Sequence, residues 1–280
     1  MARRDCMTEE DRVSLAPTEK MAIVSVADPE GRPHQTLLSS LMASGPRELV
    51  IGEFTRGASK EYMAQRPAVG FVAMTLDRRL WRGAARWRAL SRSGREYEEF
   101  NRKPMFRYNS YFGVNTVHYL DLDWIEGPAG LPVAGIAAAK LATLAWGGAP
   151  ALRSPRPALS PYARSLVDGL ASLSFLSWIS SDGEPRIVPI PQARTAGGGR
   201  IVFTPGPFGP ELAQVPEGAK ASIFSFNLSM ESLLTLGLYR ARARGHSRLA
   251  FLEIEEVYNP MPPIPGRVWP PADLEPVRAF

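Results

Sequence analysis

Two tandem β-barrels, closed or split, carrying inserted helices and joined by a helical linker: this mainly β fold class follows from three observations. The order of strands and turns in residues 22–52 (AIVSVADPEGRPHQTLLSSLMASGPRELVIG) returns in residues 174–204 (SFLSWISSDGEPRIVPIPQARTAGGGRIVFT). Short apolar and β-branched runs, among them Ile23-Val24-Ser25-Val26, Val69 to Met74 and Ile223 to Phe226, are separated by Gly, Pro and Asp turns. An alanine-rich run, Leu131 to Gly148, stands between the two copies. Strands of this number and spacing suit a small barrel better than a doubly wound sheet.

Each copy reads as about six short strands with one helix after the third. Gly31 falls on Gly183, Pro33 on Pro185 and Val50 on Val202, a spacing of 152 residues. Beyond a hairpin six residues longer in the second copy, Leu80-Trp81-Arg82 matches Leu238-Tyr239-Arg240 at a spacing of 158, and Arg86 matches Arg244. The last strand matches at 132, Tyr119-Leu120-Asp121-Leu122 over Phe251-Leu252-Glu253-Ile254. The first copy thus carries an excursion of 26 extra residues before that strand. The helix after strand three begins near Gly57 and stops at Arg66-Pro67, where proline ends it. The resulting division is a first barrel over 1–125, a helical and Pro/Ser-rich linker over 126–172, and a second barrel over 173–280.

Formal charge is +5, from 33 Lys plus Arg against 28 Asp plus Glu, and the excess is local: residues 78–107 hold ten basic side chains and three acidic ones. Such a stretch attracts nucleic acid, anionic lipid or a phosphorylated small ligand, or is a solvated arginine-rich face. Arg82, Arg86 and Arg88 share strand parity, as do Arg240, Arg242 and Arg244, and ion pairs with Asp121, Asp123, Glu253 and Glu255 account for them without a function. No nucleic-acid recognition motif accompanies them, so a nucleic-acid role is an outsider. One cysteine, Cys6, excludes an intramolecular disulfide framework, and three histidines (His34, His118, His246) show no metal-ligand spacing, so no metal is expected. The run from Leu131 carries Lys140 at its centre and reads as a packed helix rather than a membrane span. The charged stretch Met1 to Lys20 lacks the apolar core of a signal peptide, which predicts a cytoplasmic protein.

Chemistry concentrates after strand three of the first copy. Phe54-Thr55-Arg56-Gly57-Ala58-Ser59-Lys60 sets two hydroxyls, a guanidinium, a glycine and an ammonium around a helix N-terminus, where free N–H groups favour a dianion. Arg56 and Lys60 supply charge-assisted bonds, Thr55 and Ser59 neutral donors. The alternative is an ordinary capped helix with surface charges. The counterpart loop, Thr204-Pro205-Gly206-Pro207-Phe208-Gly209-Pro210, has no cation and three prolines, so a phosphate site is expected in the first copy only.

The order strand, Asp-x-x-Gly-Arg-Pro turn, strand, strand, then Thr-Arg-Gly-Ala-Ser-Lys opening a helix resembles the FMN-binding split barrels related to pyridoxamine 5'-phosphate oxidase. The resemblance runs from Ala22 to about Trp87 and, more weakly, from Ser174 to Tyr258. It implies a tandem split barrel holding FMN. By the same resemblance Thr36 lies where the oxidases use a phosphate-contacting arginine, a departure, and Leu37 and Leu38 lie where strand backbone meets the isoalloxazine ring. The implied activity is FMN-dependent oxidation or reduction of a small, anionic substrate. A non-enzymatic flavin-binding module is the rival, as is the same fold with deazaflavin or haem. Relatives are homodimers with flavin at the interface, so a homodimer or an intramolecular pseudo-dimer is expected. No counterpart of the family's pyridoxal-phosphate-binding residues is found in Val268 to Phe280.

Within the excursion, Asn101 to Gly113 combines four aromatics, two asparagines and three bases, a composition suited to a lid over a flat, polar-edged ring, with Met105 to Gly113 as its cover, or to an anchored loop. Arg107, Tyr108 and Tyr111 are the catalytic candidates: Arg107 for a substrate anion, either tyrosine for stacking or proton donation. His34, next to the Gly-Arg-Pro turn, either approaches the ligand or sits on the surface.

Overall fold

The computed structural model describes residues 2–16, 19–54, 57–102, 113–147, 152–227, 229, 231–244, 247–261 and 265–271. Strand β1 (Lys20–Ala27) is apolar on both faces and buried almost throughout. The turn that follows is closed by Asp28, whose carboxylate accepts from the Arg32 backbone N–H and from Arg32 Nε, each at 2.7 Å. Gly31 supplies the left-handed backbone the turn requires, at φ +73°. The chain then returns antiparallel as β2 (Pro33–Leu37), with Ile23 opposite Leu37.

The first sheet continues with β3 (Met42–Gly45), β4 (Glu48–Glu53), β5 (Ala68–Thr75), β6 (Arg79–Ser91) and β7 (Thr116–Gly130), in the spatial order β2-β1-β5-β6-β7-β4-β3. Helices α1 (Glu9–Leu15), α2 (Ala58–Gln65) and α3 (Arg95–Arg102) are added to it. On one face Val24, Leu49, Ile51, Phe71, Trp81 and Leu120 form the core with Met63 of α2 and Leu15 of α1. On the other face Phe100 of α3 covers Met42, Val50 and Val117.

The second sheet follows α4 (Val133–Gly147) and α5 (Pro161–Asp168). It is built from β8 (Leu173–Ile179), β9 (Pro185–Pro189), β10 (Arg194–Thr195), β11 (Arg200–Phe203), β12 (Lys220–Phe226), β13 (Ser232–Arg244) and β14 (Ser247–Asn259). A 3-10 turn (Gly206–Phe208) and the short α6 (Gly209–Leu212) follow β11, and β15 (Gly266–Trp269) pairs with β14. The spatial order, β10-β11-β14-β13-β12-β8-β9, is that of the first sheet read from the opposite edge.

Register repeats as well as order. Val50 opposes Tyr119, and its counterpart Val202 opposes Phe251. A β-bulge between Ala84 and Ala85 returns between Leu236 and Gly237. These pairings correct the sequence alignment. Arg86 and Trp87 oppose Asp121 and Leu120, while Leu238 and Tyr239 oppose Glu253 and Leu252, so Arg86-Trp87-Arg88 is the true counterpart of Leu238-Tyr239-Arg240. The spacing of 152 holds through β6, no hairpin is lengthened, and the excursion exceeds its counterpart by 20 residues (152 less 132) rather than 26. An even slip of six keeps every side chain on its face, so a strand with alternating arginines does not betray it.

One further expectation, the strand count, changes. Each sheet has seven strands in its main path rather than six, because the short β3 and β10 precede the strand read as the third. Neither sheet closes into a barrel: the first ends on β2 and β3, the second on β9 and β10. The chain divides into one unit of Met1–Pro132 with Ser177–Ile187 and another of Val133–Leu176 with Val188–Phe280. Within the first unit, Ser25 and Ser177 share a buried hydroxyl hydrogen bond of 2.8 Å. No described helix is long and apolar enough to cross a membrane.

The arginines of β6 find carboxylates on β7: Arg82 with Glu126 at 2.7 Å, Arg86 with Asp123 at 3.7 Å and Arg88 with Asp121 at 2.8 Å. In the second sheet Arg200 reaches Glu253 at 3.1 Å and Arg240 reaches Glu217 at 3.6 Å. Cross-strand ion pairing therefore explains much of the basic stretch.

Candidate functional site

Helix α2 begins where β4 ends, and its N-terminus is left open. Helices α1 and α5 close theirs with side chains, Thr8 in a reciprocal capping box with Asp11 and Ser160 accepting from the Ala163 N–H. The N-cap of α2 is Gly57, in extended conformation, with no side-chain cap. No side chain caps this eight-residue helix, whose positive end favours an anion, although the Lys60 N–H donates to the Gly57 carbonyl at 3.0 Å.

Two hydroxyls meet beside that terminus. Ser59 of α2, 2% exposed, hydrogen-bonds to Thr36 of β2 through their Oγ and Oγ1 atoms. Lys60 folds back over the helix start: a Cβ on Gly57 would lie 3.8 Å from its Nζ. The Lys60 side chain is 10% exposed, and burial lowers its pKa, opposed by the nearby Glu53 carboxylate. Of the residues expected to hold a cofactor, Thr36 and Ser59 are joined by that hydrogen bond, and Lys60 follows Ser59 in the first turn of α2. Leu37 is half-buried at the end of β2, opposite Ile23. Leu38 turns its side chain into the core, and its N–H donates to the Ala22 carbonyl at 2.8 Å. Thr55, Arg56, Arg107, Tyr108 and Tyr111 lie outside the described residues.

A buried polar chain, announced by no sequence motif, runs across three adjacent strands toward this place. Trp87 Nε1 on β6 donates to His118 Nδ1 on β7 at 3.2 Å. His118 Nε2 is 3.0 Å from Glu53 Oε2 at the end of β4, and Glu53 Oε1 is 4.0 Å from Lys60 Nζ. Adjacency of β6, β7 and β4 positions these side chains, which share the core face with Ile51 and Leu120. His118 and Glu53 are 65 residues apart, so no local spacing announces the pair.

His34 does not sit on the surface. It is 6% exposed, its ring meets Tyr62 of α2 edge-on at 5.4 Å, and burial pushes its pKa down to about 4, partly opposed by Asp28. Among the described residues no cluster of three or more metal-ligating side chains occurs.

In the second unit the equivalent place is filled by α4. The Thr204 N–H donates to Thr143 Oγ1 at 3.0 Å, and the Thr204 hydroxyl donates to the Ala139 carbonyl at 2.9 Å. A Cβ on Gly206, whose φ is +54°, would come 2.7 Å from Ala139 Cβ. One element of the repeat survives: Gln192 Nε2 donates to the Thr204 carbonyl at 2.6 Å, as Ser40 Oγ donates to the Gly52 carbonyl at 2.8 Å.

No family model matches this chain, and no curated protein does. Several solved structures are similar to it. Group A Streptococcus HupZ is 15% identical over 44% of this chain and 99% of its own, with a TM-score of 0.36. An FMN-binding protein of Syntrophomonas wolfei is 14% identical over 44% of this chain and 86% of its own, at 0.36. A pyridoxamine 5'-phosphate oxidase-related, FMN-binding protein of Nostoc punctiforme is 14% identical over 80% of this chain and 90% of its own, at 0.24.

Proposed function

We propose that this chain is a duplicated split barrel whose first copy binds FMN by its phosphate, and that it acts as an oxidoreductase on a small substrate. The observation that carries the reading is the uncapped start of α2, with Lys60 folded over Gly57 and the Thr36 and Ser59 hydroxyls beside it. This donor set fits a phosphate. An ammonium gives a charge-assisted bond, hydroxyls give directional ones, and the helix start, with no side-chain cap, adds its positive end. Glu53 is kept compatible with an anion because its two oxygens face His118 and Lys60.

Bound FMN would supply the hydride or electron transfer. The chain's part is to anchor the phosphate at α2, to keep Thr36 and Ser59 mutually oriented, and to bury the site against the core around Met63. We place the protein in the cytoplasm, in line with its single, unpaired Cys6.

Titration of purified protein with FMN, followed by flavin absorbance and fluorescence, tests the reading. One FMN per chain is expected, bound more tightly than riboflavin, which lacks the phosphate. Two equivalent sites per chain, or equal affinity for FMN and riboflavin, would refute it.

A further inference from the structure

The polar chain ending at Lys60 has a fixed direction. An indole nitrogen only donates, so His118 Nδ1 accepts from Trp87 and carries no proton. The ring proton therefore sits on Nε2 and donates to Glu53 Oε2 at 3.0 Å. That bond turns Oε1 toward Lys60 Nζ, 4.0 Å away. All three side chains are nearly excluded from water, at 4% exposure for His118, 12% for Glu53 and 10% for Lys60. Polar groups buried to that degree are costly unless mutually satisfied, so each member depends on the next.

The second copy supplies an internal control. By the register of its sheet, Trp87 and His118 correspond to Tyr239 and Ala250, and the same spacing of 152 residues carries Glu53 and Lys60 to Pro205 and Leu212. Thr36 and Ser59 correspond to Val188 and Glu211. The copy without the hydroxyl pair and the lysine lacks the whole chain behind them, although its strands keep the same order and bulge. If His118 and Glu53 served only the sheet, this loss would have no reason to coincide with that of the donors.

We infer that His118 is a positioning residue for phosphate recognition: acting through Glu53, it holds the Lys60 ammonium over the first turn of α2 and so lets the site distinguish a phosphorylated ligand from its dephosphorylated form. The inference rests on the proposed reading of Lys60 as a phosphate contact.

The test measures FMN and riboflavin affinities of the full chain in wild type, Lys60→Ala, His118→Phe, His118→Gln and the Lys60→Ala/His118→Phe double variant. Lys60→Ala is expected to weaken FMN about ten- to a hundredfold and to spare riboflavin. His118→Phe is expected to weaken FMN about three- to tenfold, again sparing riboflavin. His118→Gln, which keeps an N–H near the Nε2 position, restores wild-type discrimination. In the Lys60→Ala background His118→Phe adds nothing, because the histidine acts through the lysine.

Equal losses for both ligands in His118→Phe, additivity in the double variant, or failure of His118→Gln to restore discrimination would overturn the inference. Should His118→Phe not fold, Trp87→Phe removes the indole donor instead. It is expected to lower the FMN-to-riboflavin preference, and an unchanged preference counts against the inference. If Lys60→Ala itself leaves the preference intact, the phosphate-site reading fails. If Lys60→Ala lowers it while His118→Phe does not, only the role of His118 fails.

Discussion

Replacing Asp11 with asparagine tests how the N-terminal segment is tied to the first sheet. Asp11 is 1% exposed. Its Oδ1 accepts from Trp81 Nε1 at 2.9 Å, and its Oδ2 accepts from Arg4 Nη1 at 2.7 Å and from the Thr8 N–H at 2.8 Å. Arg4 is in turn bridged to β7, exchanging backbone hydrogen bonds with Ile125 at 2.9 and 2.8 Å. An asparagine that keeps its oxygen on Trp81 presents its NH2 to two donors. The loss is two bonds to an ionised carboxylate, one from a guanidinium and one from a backbone N–H, each about 1.5 to 3 kcal/mol before solvent recovers any of it. Arg4 is 30% exposed and recovers some hydration, so a net cost of about 2 to 3 kcal/mol is expected.

The same contacts fix a pH signature. Burial pushes the Asp11 carboxyl up, but hydrogen bonds from Arg4, Trp81 and Thr8 outweigh it and hold the pKa below its ordinary 3.8. A depressed folded-state pKa stabilises the fold fully above the unfolded value, and that contribution is lost as pH falls through the folded one. Urea unfolding of both proteins between pH 7 and pH 2, followed by tryptophan fluorescence, measures the difference. It is expected to be constant down to about pH 4 and then to shrink. A difference below about 0.5 kcal/mol at neutral pH, or one that does not change with acidification, refutes the reasoning.

Other outcomes follow from the site and the core. Ser59→Ala combined with Thr36→Val removes two neutral donors and is expected to weaken FMN about two- to tenfold per hydroxyl that contacts phosphate, with riboflavin spared, read by fluorescence titration. Because burial holds the Lys60 pKa below its ordinary 10.5, the preference for FMN over riboflavin is expected to fall with rising pH before an exposed lysine would titrate, in affinities measured from pH 7 to 10.5. Gly83→Ala places a Cβ 2.3 Å from Phe71 Cζ and 2.5 Å from the Trp124 carbonyl oxygen, and is expected to cost at least about 1 to 3 kcal/mol in a urea titration.

The fold was legible because the duplication carries its own turns: the Gly31 and Gly183 hairpins and the paired glycine-free runs of β1 and β8 recur in order. Ser59 stood out in the sequence beside the basic helix start and Thr36 only through the family resemblance; the structure sets their hydroxyls in one hydrogen bond. The alignment slipped at β6 because Leu80-Trp81-Arg82 imitates Leu238-Tyr239-Arg240, and only backbone pairing with β7 and β14 resolves the slip. His118 and Glu53 were invisible for a different reason. They meet because β7 lies between β6 and β4, a neighbourhood that no linear pattern encodes. Of the two readings of His34, the surface one fails because its side chain, though it follows a polar turn, is buried edge-on against Tyr62.

Helix α4 lies where the second copy would need open space, and this bears on any attempt to restore a ligand there. Transplanting the donors, with Val188→Thr, Glu211→Ser and Leu212→Lys, would recreate the side chains of the proposed first site but leave α4 in place. The Ala139 carbonyl and Thr143 hydroxyl already hold Thr204, and Ala139 leaves no room above Gly206. An incoming phosphate would have to displace a helix with both hydroxyl hydrogen bonds made, so side-chain reversion and helix removal must be combined. The segment joining the copies thus takes, in the second copy, the place that the proposed phosphate site has in the first.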